Sequence, residues 1–243
     1  DAQSSRGIWA RIARLVERRP RLVWMSSAAV LVALAIAAPR LDANGVEQSE
    51  ILLGESEALS GQEVLAQYFP AGSGSPMIIL TPVEMSDQAL AILIADEAVA
   101  AATVERSSFN YDGRDLSLIE ATLRYAADSE EALAAVARLR ADLIVADIGA
   151  LIGGTSASNF DTREAASRDL RTIAPIVLLV ITLILILLLR SVLAPLLLVA
   201  TTVISYLAAL GISALVFEFG FGFPGADPAV PLFAFVFLVA LGI

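Results

Sequence analysis

The sequence contains no cysteine and no histidine. A chain without cysteine forms neither disulfides nor thiolate metal sites, and a chain without histidine cannot build a typical zinc centre or a Ser-His-Asp triad. All 16 basic residues are arginine, and charged residues make up only 17% of the 243 residues. These absences argue against an enzyme, and we expect no catalytic residue, no metal site and no cofactor.

Apolar residues, by contrast, are abundant. They make up 57% of the chain, and the mean hydropathy is +0.75, which is more apolar than a soluble domain of this length ordinarily is. The apolar residues occur in separated runs, with a long acidic stretch between the first run and the others. The sequence therefore predicts an α-helical multi-pass membrane protein into which a soluble α+β domain is inserted.

The first apolar run, residues 22–38, contains no charge and is just long enough to cross a hydrocarbon core of about 30 Å as a helix. Within it, Ala29, Ala33 and Ala37 form a stripe of small residues suited to close helix packing, and a generally alanine-rich genome explains the stripe about as well. The arginine-rich residues 1–21 mark its cytoplasmic end, and we expect them to lie on the membrane surface as an amphipathic helix. A nucleic-acid-binding arm would also explain the arginines, but the adjoining span disfavours it, so no nucleic-acid partner is expected.

Residues 41–170 have the composition of a soluble domain, and the direction of the first span places them on the extracytoplasmic side. After a helix over residues 61–68, the pattern predicts a strand over Met77–Thr81, a helix over Asp87–Ala101, strands over Val104–Tyr111 and Leu116–Tyr125, a helix over Glu130–Asp142 and a strand over Gly149–Ile152. This β-α-β-β-α-β order is the split βαβ arrangement, in which the helices lie on one face of an antiparallel sheet.

Short local signals predict several boundaries. Asp112-Gly113 is a strong signal for a two-residue hairpin turn. Gly153 and Gly154 permit a turn, after which a helix is predicted to run on into the membrane. Three pairs consist of a capping residue and an acid three positions later, which predicts a helix start at each. These pairs are Ser60 with Glu63, Asp128 with Glu131, and Ser158 with Asp161.

Residues 173–243 are predicted to form a transmembrane bundle of three apolar runs, residues 173–189, 193–217 and 229–243, the last of them truncated. Arg190 ends the first of these runs and Pro195 follows closely, so a short cytoplasmic loop is expected there. No run that can be read whole contains an ionisable residue in its interior. Because such a residue is the usual sign of ion coupling in a membrane protein, we do not expect the ion-coupling group within this sequence.

The second of these runs carries four polar residues, Thr201, Thr202, Ser205 and Tyr206. Polar side chains in a span can line a path through the membrane or bond across helices. Serine and threonine also bond back to carbonyl groups of their own helix, and this plainer explanation is the favoured alternative. The pattern therefore marks these four residues as candidates for lining a path and leaves both explanations open.

Four stretches carry a resemblance to a known family. They are Gly61–Leu65 with Phe69–Gly72, Gly153–Thr155, Leu189–Leu196, and Phe223–Gly225 with Pro231–Ile243. Together with the layout of a span, a β-α-β-β-α-β domain and a group of spans, they resemble the MMPL family of the RND transporter superfamily in its actinobacterial form. The details are similar to the second, C-terminal repeat of such a protein.

The resemblance implies a transporter that uses the proton-motive force to export lipids or other hydrophobic compounds across the bacterial cytoplasmic membrane, with a ferredoxin-like porter domain in residues 41–170. The implied partners are membrane lipid, the hydrophobic substrate and the N-terminal repeat of the same protein, and a homo-oligomer is a further expectation. In this family an Asp-Tyr pair of the proton relay follows the stretch that ends here at Ile243, so no relay residue is expected in this sequence. The candidates for structural and coupling roles are then Gly153, Gly154, Arg190, Pro195 and Gly242.

Two other functions stay open. One is RND-type drug efflux, since a shared fold does not settle the substrate. The other is a membrane scaffold or binding protein whose acidic domain recruits partners and transports nothing. The sequence begins at Asp1 rather than Met and ends at Ile243 inside an apolar run, so we expect it to be a piece of a longer protein.

Overall fold

The computed structural model describes residue 13, residues 15–46 and residues 57–242. Most of the predicted amphipathic helix of residues 1–21 lies outside the described residues, so that helix stays a prediction. The elements in chain order are α1 Pro20–Ala35, α2 Glu57–Ala66, β1 Met77–Pro82, α3 Ser86–Ala95, β2 Val99–Tyr111, β3 Arg114–Leu123, α4 Glu130–Val145, β4 Leu151–Gly153, α5 Thr155–Leu189, α6 Leu193–Val216 and α7 Val230–Gly242.

The chain divides into two compact units. Residues 45–168 form one, which we call the α/β unit, and residues 1–44 with residues 169–243 form the other, the helical unit. Helix α5 contributes its first part to the α/β unit and its remainder to the helical unit.

The α/β unit contains a four-stranded sheet in the order β2-β3-β1-β4, and all neighbouring strands are antiparallel. Alternate residues of β1 and β3 are buried, as a strand with one covered face requires. Buried side chains of α3 and α4 pack against that face, among them Leu93 and Leu139, which contact the same core as Met77 and Ile119. The helices therefore cover one face of the sheet.

The predicted hairpin turn is confirmed. Strand β2 ends at Tyr111 and β3 begins at Arg114, and both turn residues have a positive φ, +51° at Asp112 and +75° at Gly113. Two consecutive positive φ values are what a type I′ turn needs, and Asp-Gly is a residue pair that adopts them readily.

The predicted end of the third helix is wrong. That helix was expected to reach Ala101, but α3 ends at Ala95 and β2 begins at Val99. Val99 pairs with Leu123 and Ala101 with Thr122 of β3. Cross-strand pairing therefore overrides the helix preference of the alanine-rich stretch.

The three predicted helix starts are also wrong in detail. Helix α2 begins at Glu57, so Ser60 lies inside it, and α5 begins at Thr155, so Ser158 lies inside it. At the start of α4 the capping residue is Ser129 rather than Asp128, since the Ser129 Oγ accepts a hydrogen bond of 3.3 Å from the Ala132 N–H. The sequence signals thus identified the neighbourhood of each start but not the residue.

Three segments of the described chain are long and apolar enough to cross a membrane, namely Pro20–Arg40, Thr155–Leu189 and Leu193–Phe221. Helix α7 is apolar but shorter, with 13 residues. The prediction of a mostly helical membrane protein with an inserted antiparallel sheet is confirmed at this level. In the predicted alanine stripe Ala29 and Ala33 are exposed and Ala37 is half-buried, and Gly211 of α6 meets the chain at Leu34 and Ala38.

Candidate functional site

Gly154 connects β4 to α5 in a backbone conformation that other residues rarely adopt. Its φ is +94°, and a β-carbon added there would lie 2.8 Å from the carbonyl oxygen of Pro76. Gly153 is the last residue of β4 and pairs with Ile78, and its added β-carbon would make an ordinary contact of 3.7 Å with the Ile78 carbonyl oxygen. Of these two predicted coupling candidates, the geometry therefore requires glycine only at position 154.

Immediately after Gly154, the first turns of α5 are bonded to α4. The Arg140 guanidinium meets the Asp161 carboxylate with both terminal nitrogens, since Nη1 bonds Oδ1 and Nη2 lies 2.9 Å from Oδ2. The same Nη2 donates to the Ile152 carbonyl oxygen of β4 at 3.2 Å. The guanidinium also lies 5.5 Å from the centre of the Phe160 ring. Arg140 of α4 therefore contacts both β4 and α5.

The Arg140–Asp161 pair remains charged across the physiological pH range. The hydrogen bond from Arg140 lowers the pKa of the Asp161 carboxyl below its ordinary value of 3.8. The same hydrogen bond raises the pKa of the Arg140 guanidinium, against the opposing effect of its partial burial. The charge of this pair therefore does not change with pH in the range where a cell works.

A second ion pair joins the same two helices. Arg163 Nη1 of α5 lies 2.6 Å from Glu130 Oε1 at the start of α4. The cation comes from α4 in the Arg140–Asp161 pair and from α5 in this one. Sequence reasoning missed both pairs, because their members lie in different helices and no local spacing connects them.

Arg190 and Pro195 lie on either side of the turn between α5 and α6. Arg190 follows the last residue of α5 and has a positive φ of +50°, and its side chain is exposed. Pro195 is the third residue of α6 and is buried. Proline is tolerated in the first turn of a helix because the missing N–H would have no helical partner there. These two candidates thus define where one helix ends and the next begins.

The two threonine candidates bond back to their own helix. Thr201 Oγ1 and Thr202 Oγ1 both donate to the Leu198 carbonyl oxygen, at 2.8 and 3.0 Å. Thr201 is exposed and Thr202 is buried. Gly242 of α7 lies beside Thr202, and a β-carbon added to Gly242 would be 3.7 Å from Thr202 Cγ2. The structure therefore brings Thr202 and Gly242 together and leaves Thr201 outside that contact.

Tyr206 joins α6 to α7. Its hydroxyl donates to the Pro231 carbonyl oxygen at 2.9 Å, and its ring packs edge-to-face against Phe235 with 5.6 Å between ring centres. Tyr206, Phe235 and Val239 form a buried cluster, against which α5 also packs through Ala174 and other apolar residues. Ser205, the remaining polar candidate, is half-buried.

Among the residues that the structure describes, no group of three or more acidic side chains is placed to hold a metal ion. Several of the residues described above instead lie at contacts between elements: β4 with α5, α5 with α4, and α6 with α7. Such an arrangement can hold helices in position and pass movement between them.

Comparison with known proteins gives the family. The MMPL family matches residues 55–243. The membrane protein ActII-3 of Streptomyces coelicolor is 45% identical over 240 residues, which are 98% of this chain and 33% of that protein. The apo-petrobactin exporter of Bacillus anthracis is 30% identical over 251 residues, which are 99% of this chain and 33% of that protein.

A third relative matches a shorter stretch. The sulfolipid-1 exporter MmpL8 of Mycobacterium tuberculosis is 39% identical over 118 residues, which are 48% of this chain and 11% of that protein. The chain thus spans about a third of the length of the relatives that match nearly all of it. With more than half of its residues matched by the family, the chain belongs to the MMPL family.

Proposed function

We propose that the chain is part of a membrane transporter that uses the proton-motive force to export lipids or other hydrophobic compounds. The names of two relatives, an exporter of apo-petrobactin and an exporter of sulfolipid-1, support a transport role rather than an enzymatic one. The observation that carries the proposal is helix α5, which runs for 35 residues and joins a charged first part to an apolar part long enough to cross a bilayer. A helix of this kind can pass a change of packing in the membrane to a domain outside it.

In this proposal the protein lies in the bacterial cytoplasmic membrane, with residues 1–21 on the cytoplasmic side and residues 41–170 on the outer side. The strand order β2-β3-β1-β4 with antiparallel neighbours supports a ferredoxin-like porter domain, because the split βαβ motif produces that order. The chain corresponds to the second repeat of an RND-type protein. Its partners are the N-terminal repeat, membrane lipid and a hydrophobic substrate, with a homo-oligomer as a further expectation.

The proposed roles within the membrane differ among the candidates. Thr201 is exposed and is the best placed of the four polar residues to face a path. Thr202 and Tyr206 are buried and bonded within the helical unit, which favours a structural role for both. The proton relay is proposed to begin just after Ile243, and Gly242, the last described residue, lies beside Thr202 of α6.

The test uses the full-length protein purified into liposomes with an imposed pH gradient. A labelled lipid and a panel of drugs are offered, and their movement is measured with and without the gradient. We expect gradient-dependent movement of lipid. Replacement of the acidic residue expected just after Ile243 by its amide should abolish that movement while the protein is still made and folded.

Two other outcomes would favour the alternatives. Movement of drugs without lipids would favour drug efflux. Movement of neither, with a gradient that persists as long as in empty liposomes, would contradict the proposal and favour a scaffold or binding protein.

A further inference from the structure

The two ion pairs between α4 and α5 hold the first turns of α5 at two separated points of α4. Arg140 and Glu130 are ten residues apart on α4, which corresponds to about 15 Å along a helix. Their partners, Asp161 and Arg163, are only two residues apart on α5. Widely spaced attachments on α4 therefore converge on a short part of α5.

Arg140 is the central residue of this attachment. Its guanidinium bonds the Asp161 carboxylate in a two-pronged arrangement, donates to the Ile152 carbonyl oxygen and lies over Phe160. A two-pronged guanidinium–carboxylate bond fixes orientation as well as distance, which a single contact does not. One side chain of α4 is thus bonded to the last strand of the sheet and to the helix that follows it.

Among the described elements, helix α5 alone contributes residues to both units. Asp161 and Arg163 lie in its first part, within residues 45–168, and the helix continues as far as Leu189 in the helical unit. We propose that Arg140 and Asp161 are the positioning pair through which movement of α5 reaches the sheet of the α/β unit. This inference rests on the proposed transport function and names the contact through which that function is coupled.

The pair is suited to transmit movement without itself sensing protons. The Arg140 guanidinium and the Asp161 carboxylate both keep their charge at physiological pH. The side chains are partly exposed, 28% for Arg140 and 56% for Asp161, so the attraction between them is screened by water and adds little to the stability of the fold. The buried core of the α/β unit does not include either residue. Breaking the pair should therefore change coupling and leave the domain folded.

The structure supplies a matched control on the same helix. Arg138 forms an ion pair of 3.3 Å with Asp96, in the connection between α3 and β2. This pair has the same chemistry and the same parent helix, but neither member lies in α5. Loss of Arg138 tests the general effect of removing an arginine from α4.

The experiment compares R140Q, D161N, the charge exchange R140D/D161R and the control R138Q in the full-length protein in liposomes. Three quantities are measured: gradient-driven lipid export, dissipation of the pH gradient, and hydrogen-exchange protection of residues 155–165. We expect R140Q and D161N to lower export roughly tenfold, the scale of a coupling mutation, and to lower the protection of residues 155–165. The charge exchange should recover part of both losses, and R138Q should behave as the wild type.

Each other outcome has a definite meaning. Export by R140Q equal to that of the wild type, or an equal loss in R138Q, would overturn the inference and leave the proposed function standing. The inference would also be overturned if the charge exchange restored the protection of residues 155–165 but recovered no export. The ion pair would then be present without transmitting the movement of α5 to the sheet. Absence of gradient-driven export in the wild type itself would instead contradict the proposed function.

Discussion

Gly211 of α6 lies so close to the backbone of α1 that a β-carbon added to it would overlap the carbonyl oxygen of Leu34. Only a residue without a side chain permits this approach. Small residues allow membrane helices to approach until their backbones touch, and dispersion contacts then hold them together. A side chain at position 211 would therefore prevent this close approach of α1 and α6.

We expect Gly211→Ala to separate α1 from α6 and to destabilise the full-length protein by about 1–3 kcal/mol, as overpacking does. The matched control is Gly242→Ala, whose new β-carbon would be 3.7 Å from Thr202 Cγ2, an ordinary contact. The measurement is the thermal unfolding midpoint in detergent. Equal midpoints for the two variants would show that the α1–α6 crossing is not as close as described.

Replacement of the two neighbouring glycines should have unequal effects. Gly154→Ala forces a β-carbon into a positive-φ conformation and towards the Pro76 carbonyl oxygen, and it should destabilise the α/β unit by about 1–3 kcal/mol. The β-carbon of Gly153→Ala would make only an ordinary contact with Ile78, so this substitution should destabilise the α/β unit much less. Limited proteolysis of residues 45–168 in the full-length protein distinguishes them. Equal resistance of the two variants to the protease would contradict the assigned conformation of Gly154.

The ring of Tyr206 should contribute more to the stability of the folded protein than its hydroxyl does. Tyr206→Phe removes the hydrogen bond to Pro231 and should cost about 1 kcal/mol. Tyr206→Ala also removes the packing against Phe235 and should cost about 3–5 kcal/mol. Thermal unfolding in detergent measures both changes. A larger loss for Tyr206→Phe than expected, close to that of Tyr206→Ala, would mean that the hydroxyl has a role beyond joining α6 to α7.

The pH dependence of the Arg140–Asp161 pair has a definite sign. A carboxyl whose pKa is lowered by folding adds stability above its unfolded pKa, and this stability is lost as the pH falls through the folded value. Because the pKa of Asp161 is lowered from 3.8, the difference in unfolding midpoint between wild type and Asp161→Asn should be constant from about pH 8 to pH 5. It should shrink progressively as the pH falls below about 5 and through the lowered pKa of Asp161. A difference that changes near neutral pH would mean that another group titrates with this pair.

Local chemistry was enough to predict some features of the fold. The Asp112-Gly113 turn depends on two residues alone, and the alternation of buried side chains in β1 is visible in the sequence. The boundary at Val99 was missed because it depends on pairing with Leu123, which is distant in the sequence. The start of α5 at Thr155 follows from the backbone of Gly154, and no capping pattern records it.

The candidate site was predicted to a smaller extent. Gly153, Gly154 and Gly242 were selected from a family resemblance. In the structure an added β-carbon would clash with the backbone at Gly154 but would make only ordinary contacts at Gly153 and Gly242. Asp161 was noticed only as the acid of a capping pair and Arg140 not at all, because a charged residue on a helix is usually solvated and nothing local indicates its partner in another helix. Gly211 gave no signal either, since its importance comes entirely from the backbone of another helix.

The proline inside α5 has a mechanical consequence. Pro175 is twenty residues after Thr155 in the same helix, a distance of about 30 Å along its axis. Proline is a usual place for a helix to bend. A change in bend of about 10° at that point would carry the start of α5 sideways by about 5 Å, close to the spacing between neighbouring strands of a sheet. The length of the helix before Pro175 thus converts a small change in bend angle into a displacement as large as the width of a strand.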